Sequence, residues 1–285
     1  MTEEIIITNK FRLEKIIKKI SAGGAKKLHV LSDFDKTLTK AFVPDGSKTA
    51  TLIAVLRDEG YLTSDYPVKA KALFSHYHQI EIDPKLPREK KKAAMQEWWT
   101  KHFELLIASR LNKKDVEHAV LSQWIQLRDG TEDFLIFLRD KKIPLIVMSS
   151  SGLGIDAISL YLKNQNCFFS NIHIISNEFV WDKDGFAIAI KQPIIHSLSK
   201  DETILKDFSF YSIVADRKNI LLLGDSMDDV SMAIGFDYKN LIKIGFWNRP
   251  TPKNQLVYKK SYDVLIKNDG SMKEVNKILK QIIER

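Results

Sequence analysis

Asp33 and Asp35 stand two residues apart in Ser32-Asp33-Phe34-Asp35-Lys36-Thr37-Leu38-Thr39, directly after the apolar run Leu28-His29-Val30-Leu31. In extended backbone, residues i and i+2 project to the same side, so the two carboxylates converge while Phe34 turns away. Aspartate is depleted in strands, and a buried carboxylate is unfavourable unless paired or metal-bound. Metal-assisted phosphoryl transfer is the chemistry that wants this pair at a strand end. Asp33, nearest the rigid strand, would attack phosphorus, and Asp35 would protonate the leaving alkoxide and later deprotonate water. Thr37 is placed to orient a carboxylate or the loop. A strand-end turn or a calcium loop would use the same residue types, so the pair needs partners.

Those partners lie far along the chain. Leu221-Leu222-Leu223-Gly224-Asp225-Ser226-Met227-Asp228-Asp229 is a second apolar run ending in acids. Asp225 would complete a hard, oxygen-rich Mg²⁺ site with Asp33 and the backbone carbonyl of Asp35. Asp229 reads as an outer ligand of that metal or of its water, with Asp228 facing solvent. The plainer reading is a helix N-terminus capped by Ser226, its acids favoured by the dipole. Met148-Ser149-Ser150-Ser151-Gly152-Leu153-Gly154 is again a strand end running into a helix, and its hydroxyls and N–H groups suit an anion. Ser149 is the expected phosphate-binding hydroxyl, with Ser150 beside it. Lys200, in Ile195-His196-Ser197-Leu198-Ser199-Lys200, is a candidate for neutralising phosphoryl oxygens. Chemistry alone does not single it out from the other lysines.

The elements that must position these residues read as a doubly wound α/β fold. Short, β-branched apolar runs at 28–32, 143–149, 172–176, 220–224 and 241–245 predict parallel strands. Helical patterns at 131–141, 154–164 and 227–235 separate them, which places the site at the carboxyl ends of the strands. A Rossmann-like core of 1–42 and 128–285 is expected. Between its parts, 43–127 differs in texture: clustered aromatics (Phe74, Tyr77, Trp98, Trp99, Phe103, Trp124) on periodic apolar positions predict about four helices, broken by Pro84 and Pro87. Such an insertion would serve as a substrate-selecting cap. Residues 179–190 predict a β-hairpin around Asp184-Gly185, and the chain before Lys26 one amphipathic helix.

At 285 residues, 44% apolar and 28% charged, the chain suits a soluble globular protein. No apolar run is long enough to cross a bilayer, and the start has no signal-peptide layout. Cys167, the single cysteine, offers neither an internal disulfide nor a zinc cluster and is expected to be a buried thiol. A cytoplasmic protein, monomeric or weakly oligomeric and without membrane partners, is expected. The formal charge of +8 suits an anionic ligand. Nucleic-acid binding would need a basic stripe with base-stacking aromatics, and no such stripe is present.

In order, Asp33/Asp35, Ser149, Lys200 and Asp225/Asp229 resemble the four motifs of the haloacid-dehalogenase (HAD) superfamily of phosphatases. The chain further resembles the cytosolic pyrimidine 5′-nucleotidase family (cytosolic 5′-nucleotidase III type). That likeness is carried by Asp33-Phe34-Asp35-x-Thr37-Leu38, Tyr77-x-x-Ile80-Glu81-x-Asp83-Pro84, Glu97-Trp98-x-Thr100-Lys101, Leu127-Arg128-Asp129-Gly130 and Leu221-Leu222-Leu223-Gly224-Asp225-Ser226-x-x-Asp229. The resemblance implies Mg²⁺-dependent hydrolysis of nucleoside 5′-monophosphates, pyrimidine ones preferred. In it, Asp33 is nucleophile and metal ligand, Asp35 acid/base with its carbonyl on the metal, and Asp225 the third protein ligand. Ser149 and Ser150 contact phosphate, Lys200 neutralises charge, and Glu81 reads the base; a carboxylate accepts from an amino group such as cytosine's.

The sequence departs from the family at several points. Ser149-Ser150-Ser151-Gly152 is longer and more polar than the family's Ser-Ala-Gly. His102 stands where some relatives carry a serine near the base, the aromatic after the first motif is displaced to Phe42, and the loop 43–61 is shortened. Two alternatives stay open: a phosphatase for another small phosphomonoester, and a catalytically weak nucleotide-binding protein.

Overall fold

The computed structural model describes residues 4–43, 49, 51–122, 124–200 and 208–284. The predicted strands form five consecutive strands of a seven-stranded sheet. They are β2 (Leu28–Ser32), β3 (Leu145–Met148), β4 (Ile172–Ile175), β7 (Asn219–Gly224) and β8 (Asn240–Trp247), all parallel to their neighbours. Two short strands escaped the sequence reading. β1 (Ile5–Ile7) and β9 (Val264–Lys267) extend the sheet beyond β8 in the order β1-β9-β8-β7-β2-β3-β4, with β1 antiparallel. The N-terminal segment is therefore a strand followed by the expected helix, α1 (Lys10–Ser21), whose start is capped by the Asn9 side chain.

Both faces of the sheet are buried, as all-parallel strands require. Val30, Leu145, Val147, Leu221 and Leu223 point to one layer, where α1, α6 (Thr131–Asp140), α7 (Gly154–Asn164) and α10 (Lys273–Ile283) cover them. Leu31, Ile146, Ile220 and Leu222 point to the other, against Phe210 and Val214 of the α8 region (Tyr211–Val214) and Phe236. Cys167 is buried, as expected. His29 on β2 is also buried, with both ring nitrogens lacking a partner among the described residues. Burial lowers its pKa to about 4.

Within 43–127, four helices form: α2 (Leu52–Asp58), α3 (Tyr66–Ile82), α4 (Arg88–Ala108) and α5 (Lys113–Val120). Pro87 starts α4 and the break with Pro84 lets it fold back on α3. The predicted hairpin is present as β5 (Phe179–Trp181) and β6 (Ala187–Ile190), with Gly185 at φ +83° in its turn. It braces this helical layer: Phe179 meets Phe103 of α4 edge-on at 5.6 Å, and the Ala187 N–H donates to the Leu111 carbonyl at 2.9 Å.

The helix expected at 227–235 is instead a short 3₁₀ turn, Asp228–Ala233. Asp229 bends back so that its Oδ2 accepts from the backbone N–H of Asp225 (3.0 Å) and Ser226 (2.9 Å), a local bond that competes with helix formation. Part of the shortened loop 43–61 lies outside the described residues.

Candidate active site

Register brings the motifs together. Ser32 is level with Val147 of β3 and Leu223 of β7, so Asp33, Ser149 and Asp225 emerge side by side from three adjacent strands. They open into one cleft of 330 Å³, which Asp33, Asp35, Glu81, Ser149, Ser150, Lys200, Asp225 and Asp229 all line. Eight of the nine sequence-predicted site residues thus share one space.

Lys200 lies at the centre of the acids. Its Nζ donates to Asp33 Oδ1 and to Asp229 Oδ1, each at 2.7 Å, with all three side chains buried. Burial opposes the ammonium charge, but Asp229 and Asp33 outweigh it and hold the Lys200 pKa above its ordinary value. One cation does not balance the acids around it. Burial pushes the Asp33 carboxyl well above the usual range; Lys200 opposes this, while Asp229 and Asp225 add to it. Asp225 is pushed up to about 7 by burial and by Asp229. Asp35 is raised by burial, against Lys36 and Lys200. Thr37 Oγ1 lies 3.5 Å from Asp33 Oδ2.

The donor set fits a divalent cation. One oxygen each from Asp33, Asp225 and Asp229 lies within 4.8 Å of the others, and oxygen-only carboxylate clusters suit hard cations such as Mg²⁺. Asp225 has no hydrogen bond to its carboxyl among the described residues, although burial disfavours its charge. Its backbone is held instead: Tyr258 OH donates to the Asp225 carbonyl at 2.7 Å, and Tyr262 OH donates to the Ser226 carbonyl. Glycine at 224 lets the acids crowd together, because a Cβ there would lie 2.5 Å from that of Asp229.

The serine loop is bound to its neighbours. Ser149 Oγ accepts from the Ser151 N–H at 3.1 Å. Asn177 Nδ2 donates to the carbonyls of Ser151 (3.1 Å) and Ile195 (2.9 Å), joining this loop to the segment that carries Lys200. Gly154, at φ +64°, permits the turn; a Cβ there would lie 1.9 Å from the Asn177 carbonyl oxygen.

Across the cleft stands the helical layer. Glu81 Oε1 accepts from Ser197 Oγ at 2.9 Å, its Oε2 lies 3.2 Å from His78 Nδ1, and its carbonyl takes Lys91 Nζ at 2.8 Å. Trp98 and Trp99, stacked at 5.7 Å, line the same space. Trp99 and Ile53 close on the serine loop so tightly that a Cβ on Gly152 would sit 2.8 Å from the Trp99 ring. His102 does not reach the cleft. It is buried behind Trp99, at 5.6 Å between rings, and its Nε2 lies 3.1 Å from Tyr66 OH. Sequence reasoning missed Lys36, Ser197 and Ile53 as lining residues; it saw Trp99 as a member of an aromatic cluster, and Trp98 there and in a motif of the family resemblance. Lys36, inside the first acidic motif, carried a positional signal; Ser197 and Ile53 carried none.

The comparisons with known proteins agree with this geometry. The family model described as pyrimidine 5′-nucleotidase (UMPH-1) matches residues 36–283. A chicken (Gallus gallus) protein named 7-methylguanosine phosphate-specific 5′-nucleotidase is 33% identical over 95% of this chain and 93% of its own length. The human protein of that name is 31% identical over 99% of this chain and 94% of its own. The crystal structure of cytosolic 5′-nucleotidase IIIB bound to cytidine superposes with a TM-score of 0.86 at 27% identity, covering 98% of this chain and 93% of that one. A substrate-bound phosphoserine phosphatase, at 18% identity and TM-score 0.51 over 88% of this chain and 97% of its own, shares the fold. A sheet whose strand ends deliver paired aspartates, a serine loop and a lysine to one cleft, facing a helical layer, is the HAD phosphatase fold, and the chain belongs to the pyrimidine 5′-nucleotidase (UMPH-1) family of phosphoric monoester hydrolases.

Proposed function

We propose that this 5′-nucleotidase is Mg²⁺-dependent, works through an aspartyl-phosphate on Asp33 and prefers pyrimidine nucleoside 5′-monophosphates, CMP and UMP. The observation that carries the reading is the shared cleft: Asp33, Asp35 and Lys200 on one wall, Glu81 and the tryptophans on the other. Asp33, with Thr37 and Lys200 fixing its two oxygens, attacks phosphorus. Ser149, Ser150 and the loop N–H groups hold the non-bridging oxygens. Asp35, whose pKa burial raises, gives its proton to the leaving 5′-oxygen and then takes one from the water that hydrolyses the aspartyl-phosphate. Asp33, Asp225 and Asp229 would hold the Mg²⁺, which offsets their mutual repulsion and the charge of the phosphate. Trp99 and Ile53 on Gly152 exclude water from the reacting end.

Base choice falls to residues 43–127, the cap in this reading, and to Glu81. A carboxylate accepts from the exocyclic amine of cytosine, and the family description and the cytidine-bound relative support a pyrimidine. A second reading, 7-methylguanosine 5′-monophosphate, is favoured by the tryptophan pair. A methylated guanine is cationic and suits an indole face, its N1–H and amino group offer Glu81 two donors, and relatives carry that name. No described helix is long and apolar enough to cross a membrane; the relative named cytosolic 5′-nucleotidase IIIB supports a cytoplasmic setting.

Phosphate release from CMP, UMP, AMP, GMP, 7-methyl-GMP and phosphoserine, with Mg²⁺ or with chelator, tests the proposal. CMP, UMP or 7-methyl-GMP should lead, chelator should abolish turnover, and Asp33→Asn should lower it by on the order of 10⁴-fold. Equal rates on phosphoserine and nucleotides would sink the nucleotide assignment. Full activity in Asp33→Asn would sink the mechanism.

A further inference from the structure

Arg128 stands where the chain returns from residues 43–127, and its guanidinium is completely buried, at 0% exposure. It pairs with Asp269 Oδ1 at 3.0 Å and lies 4.0 Å above the Phe246 ring. Burying a cation so fully is unfavourable unless every proton finds an acceptor. Four of its six acceptors are backbone carbonyls, Gly270 at 2.6 Å and three of one loop. Nε donates to the Thr37 carbonyl at 2.8 Å, and Nη2 donates to the Lys36 carbonyl and, at 3.3 Å, to that of Thr39. Asn248 adds a second grip: its Nδ2 donates to the Lys36 carbonyl at 3.0 Å and its Oδ1 accepts from Arg128 at 3.1 Å. Three of the four residues following Asp35 are therefore tied to one side chain.

The loop needs this. Lys36 sits at φ +60°, a left-handed conformation that costs a non-glycine residue roughly 1 kcal/mol and persists only when surroundings over-determine it. Its neighbour on one side is Asp35, whose carboxyl lines the cleft with no hydrogen bond of its own among the described residues. Asp35 thus takes its position from the backbone. Asp269 extends the same clamp by accepting from the N–H of Ala41 (2.8 Å) and Phe42 (3.1 Å).

We infer that Arg128, supported by Asp269 and Asn248, is a positioning residue that holds the Lys36 turn and thereby aims the Asp35 carboxyl at the leaving oxygen. This rests on the acid role proposed for Asp35. The proton passes from Asp35 to the departing 5′-oxygen as the P–O bond breaks and the Asp33–P bond forms, so no further reactant enters.

An alkoxide needs that proton and p-nitrophenolate does not, so kcat/KM, which covers the steps up to leaving-group departure, separates the roles. For Arg128→Lys, kcat/KM on CMP should fall about 30-fold and on p-nitrophenyl phosphate less than about threefold. In an Asp35→Asn background the same change should have no further effect on CMP. Asn248→Ala, which keeps the guanidinium and its ion pair, should show the same selective loss at about three- to fivefold with an unchanged Tm. Equal losses on both substrates, or additivity with Asp35→Asn, would mean Arg128 merely supports the fold and would overturn the inference. If wild-type protein turns over p-nitrophenyl phosphate but no nucleotide, the nucleotidase reading fails separately, and phosphoserine replaces CMP as the alkyl ester in the same comparison.

Discussion

At the strand ends, Asp33 and Asp229 are buried and Lys200 donates to each at 2.7 Å, and the backbone around them is fastened by Asn177, Tyr258 and Arg128. Across the cleft, Glu81 is partly exposed, at 29%, and held by one serine at 2.9 Å and one histidine at 3.2 Å beside a stack of aromatic rings. The first wall tolerates little displacement, because each buried charge there depends on its immediate neighbours. The second wall can change side chains without disturbing them. In the proposed reading, reaction and substrate choice fall to parts of the molecule with different stiffness, and they should fail in different ways.

Breaking the stiff wall should give the largest effect. Lys200→Met leaves Asp33 and Asp229 buried without their cation. Turnover of every phosphomonoester should fall by about 10²- to 10³-fold, and the protein should lose about 3–5 kcal/mol of stability, read by urea unfolding. A variant that keeps its unfolding midpoint and loses activity on one substrate alone would contradict this division of labour. Glu81→Gln tests the soft wall. KM for CMP or 7-methyl-GMP should rise about tenfold, with kcat and p-nitrophenyl phosphate hydrolysis nearly unchanged.

A test by pH sharpens the contrast through two buried histidines, one in each region. His29 on β2 and His102 on α4 both have their pKa lowered to about 4 by burial. The folded protein resists protonating them and the unfolded chain does not. Unfolding free energy should therefore be undiminished by them above pH ~6.5, decline through the window down to about 4 and level off below it. Each histidine contributes a slope of about 1.4 kcal/mol per pH unit at most. His29→Leu and His102→Gln should each remove part of that slope in urea titrations. If only His29→Leu does so, the helical layer opens before the sheet unfolds.

Much of this was legible beforehand because buried parallel strands are continuous apolar runs, and acids at the ends of such runs are hard to explain otherwise. Asp33, Asp35 and Asp225 followed from that logic. Lys200 did not; family resemblance alone selected it, since one lysine reads like another until its neighbours are known. β1 and β9, at three and four residues, are too short to show a period. His102 illustrates the limit of resemblance: correspondence with a serine of some relatives put it near the base, but its ring is turned behind Trp99. Arg128 shows another limit. The family motif contains it, but its partners are mainly backbone carbonyls, which every residue possesses, so no pattern of side chains could announce its role.

The pairing of β1 with β9 carries a consequence for how the molecule is made. β1 lies beside β9, with Ile5 opposite Ile266, so this edge of the sheet forms only after Ile266 has been synthesised. Tyr258, Tyr262 and Asp269, which steady the acidic cluster and the turn after Asp35, belong to the same stretch as β9. A nascent chain therefore holds Asp33 and Asp35 long before it holds these supports. The acid pair is laid down early and its bracing late.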